Sequence, residues 1–421
     1  MEKLVITGGR ELRGQVRISG AKNAVLALAP ATLLAPGIHV LRNVPRLTDV
    51  FTMMELLEAL GCSCRLQGDE LWIDTRNVRS FRAPREIVSR MRASFYVLGP
   101  LLARYGYAEV ALPGGCAWGP RPVDLHIWGL QQLGATVELR DDCVYARAER
   151  LRGTTIQLRF PSVGATGNLL MASVLAEGET YLHNAAMEPE IAQLAEFLCQ
   201  MGAHIEGIGT STLRIVGPAS LRPAAVEVIP DRIEAGTFLI AAAATRGEVT
   251  LTHVNPEHIR AAIESLQHVG ASLHIAHNTI TLRMEDPPRA STIQTAPYPR
   301  FPTDLQAQWT ALMLQAPGIS RVTDTIYPDR FKHIAELQRL GAAIELHGNT
   351  AVVYGGRPLR GASVVSSDLR ASAALVIAGL IATGRTEVFG VHHLDRGYEA
   401  IEQKLQQLGA AIERVPVAET D

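Results

Sequence analysis

One short pattern recurs along the whole chain and limits the architectures open to it. An apolar residue, a glycine, a small residue, a free position and an apolar residue follow one another in ALGCSC, QLGATV, QMGAHI, HVGASL, RLGAAI and QLGAAI. Their glycines are Gly61, Gly134, Gly202, Gly270, Gly341 and Gly409, separated by 73, 68, 68, 71 and 68 residues. Self-similarity at a fixed interval marks a chain built from repeated supersecondary units, each of which buries its apolar face against its neighbours. A second glycine leads each copy by about two dozen residues: Gly37, Gly106, Gly178, Gly247, Gly318 and Gly384.

The segment before each leading glycine is rich in Ala and Leu and apolar on nearly every side, as in GNLLMASVLAEG, GTFLIAAAATRG and AALVIAGLIATG. That composition predicts a helix buried all round. The glycine after it suits the left-handed position that closes a helix. A β-like run follows (TYLHNA, VTLTHV, TEVFGV), then a more amphipathic helix such as IAQLAEFLCQMG, then a hairpin such as AAIELHGNTAVVYGG. Each unit therefore reads helix, strand, helix, strand, strand, with one further strand before the next unit. The sixth unit stops at AAIERVPVAETD, and its missing part stands at the other end, where LVITGGRELRGQVRIS parallels VVYGGRPLRGASVVSS. The six units divide into two α/β domains of three: residues 22–229, and residues 1–21 with 230–421. Buried helices are expected inside each, with sheets and amphipathic helices outside.

Composition excludes several classes of function. With 47% hydrophobic residues, 40 Lys+Arg and 42 Asp+Glu, the chain is neither disordered nor strongly basic, so nucleic acid is not an expected partner. The opening MEKLVITGGR lacks the pattern of a secretory signal. The stretch from Ala24 to Ile38 is interrupted by Pro30 and Pro36 and is shorter than the roughly 20 apolar residues of a membrane span. Five cysteines and no metal-ligand spacing suggest reduced thiols, no metal and a cytoplasmic location.

Polar residues at the head of an apolar helix need a reason to be there. The six inner helices open on Lys22 and Asn23; Arg90 and Arg92; Ser162; Asp231 and Glu234; Asp304; and Asp368 and Arg370. Capping is one account of Ser162, Asp231, Asp304 and Asp368. It does not account for Lys22, Arg92 and Arg370, since a cation at a helix N-terminus opposes the macrodipole. Together these starts suggest an anion site. A second slot, where the outer helices begin, holds Asp49, Glu190, Arg330 and Arg396. In the second unit it carries the extra segment LPGGCAWGPRPVDLH, where Cys116 sits among glycines with Arg121 behind it. Such a loop fits a reactive thiol, whereas Cys62, Cys64, Cys143 and Cys199 read as inert.

Through SGAKNA, MRAS, LPGGCAWGPRPVDLH, SVGAT, IPDRIEAGTF, FPTDLQAQ, SDLRASA and HLDRGYE, the sequence resembles the enolpyruvyl transferases over essentially its full length. Within that family it is most similar to the members that use UDP-N-acetylglucosamine. The resemblance implies a two-domain inside-out α/β barrel of six repeats with an active site in the cleft between the domains. It implies transfer of the enolpyruvyl group of phosphoenolpyruvate to the 3′-hydroxyl of UDP-N-acetylglucosamine, the first committed step of peptidoglycan synthesis, with no cofactor.

By position, Asp304 matches the family's base and Cys116 its general acid, the residue alkylated by fosfomycin. Lys22, Arg121 and Arg396 match the cations around phosphoenolpyruvate, with Arg330 and Arg370 completing the set. Asn23, Arg92, the run Arg121, Pro122, Val123, Asp124 and Leu125, and Ser162, Val163 and Gly164 match positions that hold the nucleotide sugar. So do Asp304 and Ile326, and Asp368 joins the substrate-binding set. Phe160 departs from the family, some of whose members place a Lys there. The shikimate-using relatives are disfavoured by GAKN and PGGCAWG. A catalytically silent paralogue is disfavoured because Cys116, Asp304 and the cations are all present.

Overall fold

A computed structural model describes residues 2–113 and 123–417; Cys116, Arg121 and Pro122 lie outside the described residues. The chain forms two compact units, Met1–Ser19 with Pro230–Asp421, and Gly20–Ile229. Each has its own cluster of buried apolar side chains.

The repeat builds one sheet per unit of sequence. Among the described residues there are six sheets, each with four strands in the same order. In the fifth, Thr292–Gln294 pairs parallel with Gly318–Thr323, which pairs antiparallel with Thr350–Gly355, whose other neighbour is Ile344–His347. The parallel step is the crossover through the buried helix, as parallel pairing requires. Alternating burial along the strands, as in Thr212–Gly217, turns one face of each sheet to the core and the other to water.

Two sheets take their parallel edge strand from a distant part of the chain. Arg13–Arg17 precedes the first inner helix but pairs with Glu248–Thr252, and Ala225–Glu227 precedes the fourth but pairs with Ile38–Arg42. The chain passes between the units just after each of these strands. In the sixth sheet, Glu2–Thr7 lies between Arg385–Phe389 and Ala411–Pro416, filling the place left by the truncated last repeat.

The inner helices are Lys22–Ala31, Leu98–Tyr105, Val163–Ser173, Arg232–Ala244, Gln306–Met313 and Leu369–Ile381. In the last of these every residue but Ile381 is buried. Glycine permits their close approach: a Cβ on Gly99 would stand 2.5 Å from the Asn168 carbonyl oxygen.

The glycines that close the outer helices all have left-handed backbone angles. Among the leading glycines, only Gly106 directly caps its inner helix. The others stand at or near the head of the following strand, and Gly247 is not left-handed at all. There Arg246 takes the positive φ, and Gly247 is required because a Cβ would lie 2.1 Å from the Leu12 carbonyl oxygen. The expectation that each leading glycine closes a helix is corrected accordingly.

Candidate active site

The three inner helices of the unit containing residues 230–421 start on carboxylates that behave differently. Asp231 caps its helix by accepting from the backbone N–H groups of Ile233 and Glu234. Asp368 does the same for Arg370 and Ala371. Asp304 lies in the tight turn Thr303–Leu305 ahead of Gln306–Met313. Its Oδ1 accepts from Arg330 Nη1 at 2.7 Å, and its Oδ2 from Arg370 Nη2 at 3.0 Å.

Both arginine side chains are almost fully buried, at 6% and 4% exposure, while Asp304 keeps 24%. Burial alone would pull the Arg370 guanidinium down, but Asp304, then Tyr398 and Asp231, outweigh it and the net shift is upward. Two desolvated cations and one partly open carboxylate make a group that can meet both an anion and a hydroxyl.

Neighbouring residues hold this set in place. Gln306 Nε2 donates to the Arg330 carbonyl oxygen at 2.9 Å, and Arg330 Nη1 also reaches Thr303 Oγ1 at 3.1 Å. The loop before Arg330 is organised by Asp324, which is wholly buried. Its carboxylate accepts from Thr295 Oγ1, Thr303 Oγ1, and the backbone N–H groups of Ile326 and Tyr327, all within 2.9 Å. Ile326 is thereby placed by Asp324, a residue that sequence reading missed. Arg396 ends the short helix Val391–Arg396 and is half-buried.

In the unit of residues 20–229, the same slots carry other chemistry. Lys22 and Asn23 open the first inner helix, whose first turn has no acidic residue and no side-chain cap. Lys22 Nζ lies 3.3 Å from Asp49 Oδ2, in the first turn of the outer helix Thr48–Leu60. Arg92 opens the turn Arg92–Val97. Ser162 Oγ caps the third inner helix by accepting from the Ala165 N–H at 3.2 Å. Asp124 heads Asp124–Gln132 and pairs with Arg159. Val123 is buried, Leu125 and Val163 are half-buried, and Phe160 is exposed.

His126 was also missed, and its protonation can be deduced. The Asn168 Oδ1 accepts from the Gly99 N–H at 2.8 Å, which fixes the amide orientation. Asn168 Nδ2 therefore donates to the Phe95 carbonyl oxygen at 3.0 Å and to His126 Nδ1 at 2.9 Å. Burial, with Arg92 second, pushes the His126 pKa down to about 3, so the ring is neutral with its hydrogen on Nε2. A Cβ on Gly164 would stand 3.0 Å from two atoms of that ring, so any larger residue would have to displace it.

The described cysteines are poor nucleophiles. Burial pushes Cys62 up to about 12, and raises Cys64, Cys143 and Cys199 as well. Among the described residues, no group of three His, Cys, Asp or Glu side chains is placed to hold a metal ion, and no helix is long and apolar enough to cross a membrane.

Comparison with known proteins adds three findings. The profile of the EPSP synthase (3-phosphoshikimate 1-carboxyvinyltransferase) family matches residues 6–405. The UDP-N-acetylglucosamine 1-carboxyvinyltransferase of Chloroherpeton thalassium is 52% identical over 417 residues, covering 98% of this chain and 97% of its own length. That of Cellvibrio japonicus is 52% identical over 418 residues, covering 99% and 100%. Among solved structures, the enolpyruvyl transferase NikO from Streptomyces tendae superposes with a TM-score of 0.90 at 26% identity, over 99% of both chains. An EPSP synthase from Acinetobacter baumannii gives 0.74 at 18% identity over 99% of this chain and 100% of its own, a likeness of fold alone.

Proposed function

The chain belongs to the EPSP synthase family of enolpyruvyl transferases, and from that premise we propose that it transfers the enolpyruvyl group of phosphoenolpyruvate to the 3′-hydroxyl of UDP-N-acetylglucosamine, releasing phosphate. The observation that carries the choice of acceptor is the 52% identity, spread over 98% of the chain, to a transferase that acts on that nucleotide sugar. In this reading the product feeds peptidoglycan synthesis in the cytoplasm, and fosfomycin is an expected inhibitor.

The reaction forms a C–O bond at C2 of phosphoenolpyruvate while C3 takes a proton. It then breaks the C2–O bond to phosphate as C3 gives a proton back. Asp304 takes the hydroxyl proton in this reading. A carboxylate offers about four acceptor sites, so bonds to two arginines leave room for the substrate hydroxyl. Cys116 delivers the proton to C3. Lys22, Arg121 and Arg396 hold the phosphate and carboxylate of phosphoenolpyruvate, and Arg330 and Arg370 add positive potential where charge develops. Asn23, Arg92, Val123 to Leu125, Ser162 to Gly164 and Ile326 hold the nucleotide sugar, with Asp368 fixing the helix that carries Arg370.

The test is phosphate release from phosphoenolpyruvate with each acceptor in turn. Turnover is expected with UDP-N-acetylglucosamine and none with shikimate 3-phosphate; equal rates with both would overturn the assignment.

A further inference from the structure

Three side chains converge on the hydroxyl of Tyr398, which is 1% exposed. Thr237 Oγ1 lies at 2.8 Å, Gln308 Nε2 at 3.2 Å and Arg370 Nη1 at 3.2 Å. The direction of each bond follows from chemistry. Guanidinium and amide N–H groups only donate, so the phenol oxygen accepts from Arg370 and Gln308. Thr237 gives its own hydrogen to the Ile233 carbonyl oxygen at 2.8 Å, so the phenol hydrogen goes to Thr237. Gln308 Nε2 also donates to the Asp304 carbonyl oxygen at 2.9 Å, which fixes the amide orientation.

One oxygen thus ties down both ends of Asp304. Through Gln308 it reaches the main chain, and through Arg370, whose Nη2 holds Oδ2, it reaches the carboxylate. We propose that Tyr398 is a positioning residue for the transfer reaction: its hydroxyl sets the orientation of Arg370, and through Arg370 and Gln308 it aims the Asp304 carboxylate at the acceptor hydroxyl. The proposal rests on the reading of Asp304 as the base. Burial pushes the phenol up, so the hydroxyl stays protonated and keeps its direction. A phenylalanine would fill the same space, so packing alone does not call for the oxygen.

The experiment replaces Tyr398 by Phe in the full chain and follows phosphate release with both substrates. Losing a hydrogen bond to a charged group predicts a kcat lower by roughly ten- to hundredfold. KM for either substrate should stay within about twofold, because the interaction matters in the transition state. In an Asp304→Asn background, Tyr398→Phe should cost nothing further, since the group it aims is gone. An unchanged kcat, or the same factor lost again in that background, overturns the proposal; the second result would mark a purely structural residue. Should Tyr398→Phe fail to fold, Thr237→Val removes the acceptor of the phenol hydrogen, together with the Thr237 bond to the Ile233 carbonyl oxygen and an acceptor for Gln308 Nε2. It must then lower kcat with KM held, and an unchanged kcat refutes the idea. An inactive wild-type chain would instead overturn the functional reading itself.

Discussion

Two ion pairs occupy matching slots of the repeat with their charges exchanged. In the 20–229 unit, Lys22 opens the inner helix and Asp49 stands at the start of the outer one, 27 residues on, at 3.3 Å. In the 230–421 unit, Asp304 precedes the inner helix and Arg330 the outer one, 26 residues on, at 2.7 Å. The backbone of the repeat therefore sets where the pair sits but not its polarity.

The consequences differ because a helix N-terminus favours anions. Lys22 sits there against the macrodipole, offset by a carboxylate that is 4% exposed. Asp304 has the favoured charge, and its carboxylate takes two guanidiniums. A repeated scaffold can thus present a cation in one unit and an acceptor in the other with little change of main chain.

Breaking the second pair should have the largest effect. Asp304→Asn should lower kcat by roughly 10²–10⁴, the range of a general acid–base group, with the fold intact by circular dichroism. Near-normal turnover would make Asp304 no more than a counter-ion for two arginines. Breaking the first pair should matter less. Asp49→Asn leaves Lys22 facing a neutral amide, and kcat/KM for phosphoenolpyruvate should fall about tenfold, chiefly through KM. Steady-state kinetics with an unchanged KM would show that Asp49 does not place Lys22. The smallest effect is expected at Asp231→Asn, the same chemical change at the equivalent helix start. Asn caps a helix about as well as Asp, so unfolding free energy should shift by less than about 1 kcal/mol. A loss of activity there as deep as at Asp304 would erase the distinction between cap and base.

The repeat was legible because left-handed turns and close backbone approaches demand glycine, and such demands recur wherever the geometry recurs. Gly247 shows the limit: the letter matches its five counterparts, but Arg246 takes the left-handed turn and an approach to Leu12 keeps the glycine. Among functional residues, Asp231, Asp304 and Asp368 look alike in the sequence, each a carboxylate before an apolar helix. What the structure adds is that Asp231 and Asp368 accept backbone N–H groups of their own helices, while Asp304 accepts from Arg330 and Arg370. Asp324, Tyr398, Gln308 and the His126–Asn168 pair were missed for the same reason. Their partners lie 21 to 161 residues away in the chain, apart from the nearest turns, and no local pattern marks them. Cys116 and Arg121, read from the glycine-rich string, lie outside the described residues.

The strand Glu2–Thr7, seated between Arg385–Phe389 and Ala411–Pro416, also sets an order of events during synthesis. The ribosome makes this strand before Gly20–Ile229 and both of its neighbours after it. All of Gly20–Ile229 emerges in between and has its own buried core, so it can fold while the opening segment is still without a sheet. The other unit must wait longer, because its sixth sheet cannot close until residues 411–416 exist. A loop joining positions more than 400 residues apart is among the slowest contacts the chain has to make. Until it closes, Glu2–Thr7 is an unpaired strand edge for the nascent protein to shield.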